Sequence, residues 1–379
     1  MNRRVMFVTG TRADFGKLKP LIRVVAQDPA FDYAIFVTGM HLLSRYGFTV
    51  EEVSAAGFRN IYSFMNHVHG EPMEVILSNT IQGLSRYVQE YKPDVLVVHG
   101  DRVEALAGAV VGALRNVYVA HVEGGELSGT IDELLRHATS KMSHLHFVAN
   151  NEARQLLVRM GEQPGSIFPI GSPDIDVMLS SDLPSLDDAL SWYDITFREY
   201  DIVMFHPVTT ELPQLTRHAA AVVDALLESG HNAIVIYPNN DTGSELILDE
   251  YRRLDGNPRF RIFPSIRFEF FLALLKHATL ILGNSSAGIR EAPVYGVPTV
   301  NVGSRQSNRF SHSSIFNVEP ESSAILDAMR LATSEGRLPA SQHFGDGDSA
   351  RRFLEALHSE AFWNVPKQKS FFSFGNSGV

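Results

Sequence analysis

The densest chemistry in the sequence lies in two short stretches. One reads His99-Gly100-Asp101-Arg102 and the other His121-Val122-Glu123-Gly124-Gly125-Glu126. Asp132 and Glu133 follow, with Arg136 and His137 a helical turn later. Carboxylates gathered this closely repel one another, so at least one must hold its proton more tightly than usual, as a general acid does. The competing reading is a structural ion-pair network closed by Arg102 and Arg136. Asp101 and Glu123 read as proton-transfer groups, and Glu126 and Glu133 as ion-pair partners or helix-start charges. His121-Val122-Glu123 also matches the H-x-E of zinc deaminases, but their P-C-x-x-C partner cannot exist in a chain without cysteine. There is no H-E-x-x-H, and His67 and His69 read as surface residues of a polar loop. No catalytic metal is expected.

Two further stretches suit an anion. Thr9-Gly10-Thr11-Arg12-Ala13-Asp14-Phe15-Gly16-Lys17 is a glycine-bounded turn opening a helix. Such a turn offers free N–H groups and the positive end of the helix dipole, to which Arg12 and Lys17 add charge. It is neither G-x-G-x-x-G nor a Walker loop: five residues separate Gly10 from Gly16, and Leu18 stands where a magnesium-binding hydroxyl would. The alternative is an ordinary strand–helix turn with surface cations. Later comes Gly283-Asn284-Ser285-Ser286-Ala287-Gly288-Ile289-Arg290-Glu291. Ser285 and Ser286 serve an anion or cap the helix, and the two roles can coexist. Glu291 would repel a phosphate, so a ribose diol is its better partner. Met204-Phe205-His206-Pro207 and Pro238-Asn239-Asn240-Asp241 close two more strands. Together these residues imply a nucleotide site in the second half and an acid/base cluster in the first.

The elements that must position them repeat along the chain. Short apolar, β-branched runs end in Gly, Asn, Ser or Pro: Val5–Gly10, Tyr33–Gly39, Val95–Gly100, Tyr118–Gly124, Leu145–Asn150 and Ile167–Ser172, then Asp201–Pro207, Asn232–Asn239, Phe260–Ser265, Leu280–Ser285 and Thr299–Gly303. Helical periodicity fills the gaps, as at Lys17–Gln27, Pro72–Glu90, Val103–Leu114 and Leu215–Glu228. Continuous apolar strands alternating with helices make parallel sheets covered on both faces. Two arrays in series predict an α/β chain of two Rossmann-like, doubly wound domains. The Ser-, Asp- and Pro-rich stretch Pro173–Asp201 marks the boundary. The expected domains are 1–180, with the acid cluster, and 181–379, with the nucleotide residues, a C-terminal helix at Ala350–His358 and a tail free to return to the first. The tail from Lys367 to Val379 reads as loosely ordered. In such sheets ligands sit beyond the carboxyl ends of the strands, where the polar motifs fall.

Composition narrows the partners. The chain has 379 residues, 44% hydrophobic and 20% charged, with a formal net charge of -10. That balance argues against a nucleic-acid or anionic-membrane partner. With no cysteine, disulfides and thiolate chemistry are excluded. Neither a signal peptide nor an apolar run of the ~18 residues that a span needs is visible, so the cytoplasm is the default location. The apolar stretch Val75–Val88 could serve an oligomer contact, as in a homodimer or homotetramer.

GTRADFGK, VTGMH, HGDR-x-E, HxEGGE-x-SGT-x-D, IGSPDID, FHPVTTE, YPNNDTG and GNSSAGIREAP-x-YGVP, in order from residue 5 to about 310, resemble the hydrolysing UDP-N-acetylglucosamine 2-epimerases of bacterial sialic acid synthesis. The resemblance implies a glycosyltransferase B type fold with an interdomain cleft, and conversion of UDP-GlcNAc and water to N-acetylmannosamine and UDP. The implied path is anti-elimination of UDP to 2-acetamidoglucal, then hydration, with no cofactor. It implies proton transfer by Asp101 and Glu123, assistance from Asp132, and His206 on the leaving diphosphate. It further implies Arg12 and Lys17 near phosphate, Ser285, Ser286 and Gly288 on the nucleotide, Glu291 on ribose, Asn239 and Arg305 nearby, and uracil held by backbone around Ile266 and Phe268. Rival readings are the same chemistry on UDP-N,N'-diacetylbacillosamine, a non-hydrolysing epimerase, and a glycosyltransferase of the same fold.

Overall fold

Val5–Val8 and Val95–Val98 are apolar at every position, which a strand tolerates only when both its faces are covered. The computed structural model, which describes residues 2–127, 131–239, 241–307 and 309–372, buries them so. The first sheet holds β1 (Arg3–Thr9), β2 (Phe31–Val37), β3 (Ile61–Ser63), β4 (Val95–His99), β5 (Tyr118–Val122), β6 (Leu145–Val148) and β7 (Ile167–Pro169). Their order is β3-β2-β1-β4-β5-β6-β7, with every pairing parallel. The second holds β8 (Asp201–Met204), β9 (Ala233–Ile236), β10 (Phe260–Phe263), β11 (Ile281–Gly283), β12 (Thr299–Val302) and β13 (Ile315–Val318). Its order, β10-β9-β8-β11-β12-β13, repeats the pattern of the first, again all parallel. Strand order reverses beside β1 and β4 in one sheet and β8 and β11 in the other, the switch points where such sheets bind ligands. β3 and β13 escape the sequence reading because they are short, partly exposed edge strands without a continuous apolar run.

The helices follow the expected periodicity: Arg12–Gln27, Met73–Tyr91, Val103–Leu114 and Leu215–Ser229. Among the described residues no helix is long and apolar enough to cross a membrane. The chain divides into two compact units. The first comprises Met1–Glu126, Asp132–Leu179 and His343–Val379; the second comprises Leu127–Ile131 and Ser180–Gln342.

The C-terminal segment therefore completes the first unit. Its helix Ser349–His358 lays Phe353 against Phe7 and Phe147, with ring centroids 6.3 and 4.7 Å away. Burial of one such ring is worth on the order of 2 kcal/mol. Asp176 anchors the start of that helix by accepting the Ser349 and Ala350 N–H groups at 2.9 and 2.7 Å. Residues 367–372 depart from the expectation of a loosely ordered tail, and 373–379 lie outside the described residues. Lys369 Nζ donates to the carbonyls of Ser140, Lys141 and Ser143 at 3.0, 2.9 and 2.5 Å, at the end of the helix Ile131–Met142. It also pairs with buried Glu162 at 2.6 Å, which in turn meets Lys141 and His146 at 2.8 and 3.0 Å.

Burial alone would raise the Glu162 carboxyl, but His146, Lys369 and Lys141 outweigh it and hold it at about 2, against an ordinary 4.5. A carboxyl lowered on folding stabilises the protein above its ordinary value, and that contribution fades as pH falls through the folded value. Glu162→Gln should therefore cost about 3 kcal/mol at neutral pH, with the deficit shrinking between pH 4.5 and about 2. Urea titrations of both proteins across that range check this, and equal stability at neutral pH would refute it.

Candidate active site

In the first unit the site is built on the carboxyl ends of three neighbouring strands. β1 runs into Gly10 and Thr11, and Thr11 caps the helix Arg12–Gln27 by accepting the Asp14 N–H. Asp14 folds back so that its Oδ2 accepts the Gly10 N–H at 3.0 Å. A carboxylate thus lies at the positive end of this helix, where it is stabilised. Arg12 pairs with Glu52, and Lys17, nearly buried, pairs with Asp174 at 3.1 Å.

β4 delivers His99 and Asp101; β5 delivers His121 and Glu123. Glu123 follows directly on β5 with φ 63°, a left-handed conformation that costs a residue with a Cβ of order 1 kcal/mol or more. The turn re-aims its side chain off the strand, and only 4% of the residue remains exposed. Ser172 donates its hydroxyl to Oε1, and His99 Nε2 lies 3.2 Å from Oε2. His99 Nδ1 lies 2.7 Å from Asp14 Oδ1. Burial alone would push the His99 imidazolium down, but Glu123 and Asp14 overcome it and raise its pKa to about 9. His121 is the opposite case. Nε2 sits 2.7 Å from the Gly100 carbonyl, which can only accept, and Nδ1 sits 2.9 Å from Ser140 Oγ. Burial pushes it to about 3, so it is a neutral strut between β5 and its neighbours.

Arg136 gathers the rest. It is 2% exposed, pairs with Asp101, donates to the Glu123 carbonyl at 2.7 Å and approaches Glu126 at 3.9 Å. Asp132 lies one turn earlier in the same helix and so shares its face. Glu133 pairs with His137 at 3.6 Å. The acid cluster is thus joined through Arg136, which meets the Asp101 carboxylate and the Glu123 carbonyl. Ser172, Asp14 and His99 belong to it as well, though sequence reasoning gave them no role. The available signal was a histidine closing a buried strand two residues before the acid. His67 corrects the expectation of a surface loop: it is buried beside Asn66, 2.8 Å away, while His69 stays exposed. Among the described residues no group of three or more His, Asp or Glu could hold a metal ion.

The second unit ties its strand-end loops through a neutral side chain, Asn284. Buried Asn284, after β11, accepts the His206 N–H at 2.7 Å and donates to the His206 carbonyl at 2.9 Å. Its own carbonyl takes Arg305 at 3.2 Å and Gln306 at 3.0 Å. The Asn239 N–H reaches His206 Nδ1 at 3.0 Å, which leaves the ring proton of the neutral imidazole on Nε2. Ser285 Oγ accepts the Ala287 N–H at 3.3 Å, and Ser286 precedes the short helix Ala287–Arg290. A Cβ on Gly283, at φ 133°, would lie 2.1 Å from the Met204 carbonyl oxygen, so only glycine closes β11 there. A Cβ on Gly288 would meet Thr299 at 2.6 Å; that glycine lets the helix approach β12. Glu291 is buried. Ile266 and Phe268 bury their side chains on either side of Arg267, whose N–H goes to the Tyr193 hydroxyl at 2.8 Å. Asn240, and Ser128 to Thr130 in the first half, lie outside the described residues.

Known proteins match over nearly the whole length. A chain from Neisseria meningitidis serogroup B, a UDP-N-acetylglucosamine 2-epimerase, is 50% identical over 372 residues, covering 97% of this chain and 98% of that one. The UDP-N,N'-diacetylbacillosamine 2-epimerase (hydrolyzing) of Legionella pneumophila is 34% identical over 362 residues, covering 94% and 96%. A Methanocaldococcus jannaschii UDP-GlcNAc 2-epimerase, solved in complex with UDP-GlcNAc and UDP, shares the fold with a TM-score of 0.80 at 21% identity, covering 94% of this chain and 99% of that one. The family model described as UDP-N-acetylglucosamine 2-epimerase matches residues 23–358. With its two parallel sheets and strand-end clusters, this chain belongs to the UDP-N-acetylglucosamine 2-epimerase family.

Proposed function

We propose that the protein is a hydrolysing 2-epimerase that converts UDP-GlcNAc and water to N-acetylmannosamine and UDP, supplying sialic acid synthesis. The observation that carries it is the pair of acids at adjacent strand ends of the first sheet, buried Glu123 beside His99 and the quarter-exposed Asp101 on Arg136, within a family of 2-epimerases. In the proposed elimination a carboxylate takes the proton from carbon 2, and those electrons form the carbon 1–carbon 2 double bond. The carbon 1–oxygen bond breaks, and its pair leaves on UDP. In the hydration, water adds at carbon 1 as a proton returns to carbon 2 from the opposite face. Removing the proton costs least where the base is already ionised and held in place.

The neutral His206 presents an Nε2–H donor, fixed by Asn239 and Asn284, suited to the charge that develops on the leaving diphosphate. Ser285, Ser286 and Gly288 remain the proposed nucleotide contacts, with Glu291 on the ribose and the backbone around Ile266 and Phe268 on the base. Arg12 and Lys17 are proposed near phosphate; each would have to share its pairing with Glu52 or Asp174. Asp132 is proposed to assist the acids of the first unit, and Asn239 and Arg305 to line the nucleotide residues of the second. The same reading expects a cytoplasmic homodimer or homotetramer without a cofactor.

Identity favours UDP-GlcNAc, since the meningococcal chain is more similar than the Legionella one. Assay with both UDP-sugars decides: absence of N-acetylmannosamine from UDP-GlcNAc would sink the assignment, and accumulation of UDP-ManNAc would make the enzyme non-hydrolysing. Run in deuterated water, the reaction should leave deuterium at carbon 2 of the product. Asp101→Asn and Glu123→Gln should each lower kcat by about 10²-fold or more while UDP binding persists in calorimetry; near-normal turnover in both would refute their role. Turnover should also survive exhaustive chelation, and a loss restored by one metal would contradict the mechanism.

A further inference from the structure

Two carboxylates and one imidazole share a pocket in the first unit that solvent hardly reaches. Asp14 and Glu123 stand on opposite sides of the His99 ring, 2.7 and 3.2 Å from its two nitrogens. Both contacts are at ion-pair distance, so a protonated ring offsets the charge of both carboxylates and a neutral ring that of neither. Asp14 is itself fixed, because its other oxygen accepts the Gly10 N–H at 3.0 Å. Glu123 is fixed by the left-handed turn after β5 and by the Ser172 hydroxyl on Oε1. Ser172 is held in turn from the C-terminal segment: its N–H goes to the Phe344 carbonyl at 2.7 Å, and its carbonyl accepts the Ser349 hydroxyl at 2.9 Å.

We propose that His99 is a positioning residue: anchored by Asp14, it clamps Glu123 as a carboxylate aimed to receive the proton from carbon 2. The assignment rests on the elimination proposed above and settles which acid acts first. A cation on one oxygen and a hydroxyl donor on the other both favour the ionised form. Each carboxylate oxygen still keeps a lone pair for the incoming proton. Asp101 differs: it is a quarter exposed and its partner is Arg136. The charged groups that act on His99 are Asp14 on the helix Arg12–Gln27 and Glu123 after β5; neutral His121 on β5 feels both His99 and Arg136. Arg136 pairs with Asp101 and donates to the Glu123 carbonyl, while His99 stands against the Glu123 carboxylate.

Two measurements test the clamp. In ¹⁵N-histidine NMR of the wild type, the His99 ring should carry both protons at about pH 7.5 and lose one near the raised value of about 9; in Glu123→Gln it should titrate substantially lower. In His99→Gln, UDP affinity should stay within about threefold, kcat near pH 7 should fall by about 10-fold or more, and the acid limb of kcat should move up by about one unit. Activity should then recover in part as pH rises. A neutral His99 at about pH 7.5, or an acid limb that does not move, would overturn the proposal. A wild type that releases no UDP from UDP-GlcNAc would instead overturn the proposed function, while the NMR result would still report whether the clamp exists.

Discussion

Carboxylates do not gather below a protein surface unless cations are buried with them. In the first unit Arg136 and His99 are those cations, and the arrangement of the acid cluster follows from where each stands. Arg136 comes from the helix after β5 and reaches Asp101, the Glu123 peptide and Glu126. His99 comes from β4 and reaches Asp14 and Glu123. The two cations meet at Glu123 by different routes, one at its backbone and one at its side chain. Its left-handed turn is held in place from both directions.

The second unit answers a different requirement with different means. Its loops, proposed above to meet a ligand that carries its own negative charge, are tied through the neutral side chain of Asn284. Asn284 bonds to the backbone of His206 on one side and to Arg305 and Gln306 on the other. The loops after β8 and β11 are thereby one piece. Fixed dipoles need no reorganisation when charge appears beside them.

Much of this was legible in the sequence. Val95–Val98 and the strands like it declare a covered parallel sheet, and every charged motif falls where such a sheet binds ligands. Asp101 and Glu123 are visible because acids at adjacent strand ends are costly. The pairing of His99 with Asp14 is not visible, since it joins β4 to a helix that is remote in the chain. Ser172 is hidden for the same reason. Lys369 lies in a segment whose Ser-, Gly- and Asn-rich end masks one cation that reaches three carbonyls. β3 and β13 carry too few buried residues to leave a pattern.

The first unit is interrupted by the second, and this has a consequence for synthesis. A chain made from its amino terminus presents β1 to β7 long before the helix Ser349–His358 exists. Until that helix emerges, Phe7 and Phe147 have no Phe353 to pack against, and Ser172 and Asp176 lack their partners from Ser349. The second unit, which is nearly continuous in sequence, can close first. The usual order, in which the leading domain folds before the trailing one, can be inverted in such a chain. The unit that carries the acids is then finished last, with one apolar face of its sheet open to chaperones or to misassembly until the helix Ser349–His358 leaves the ribosome.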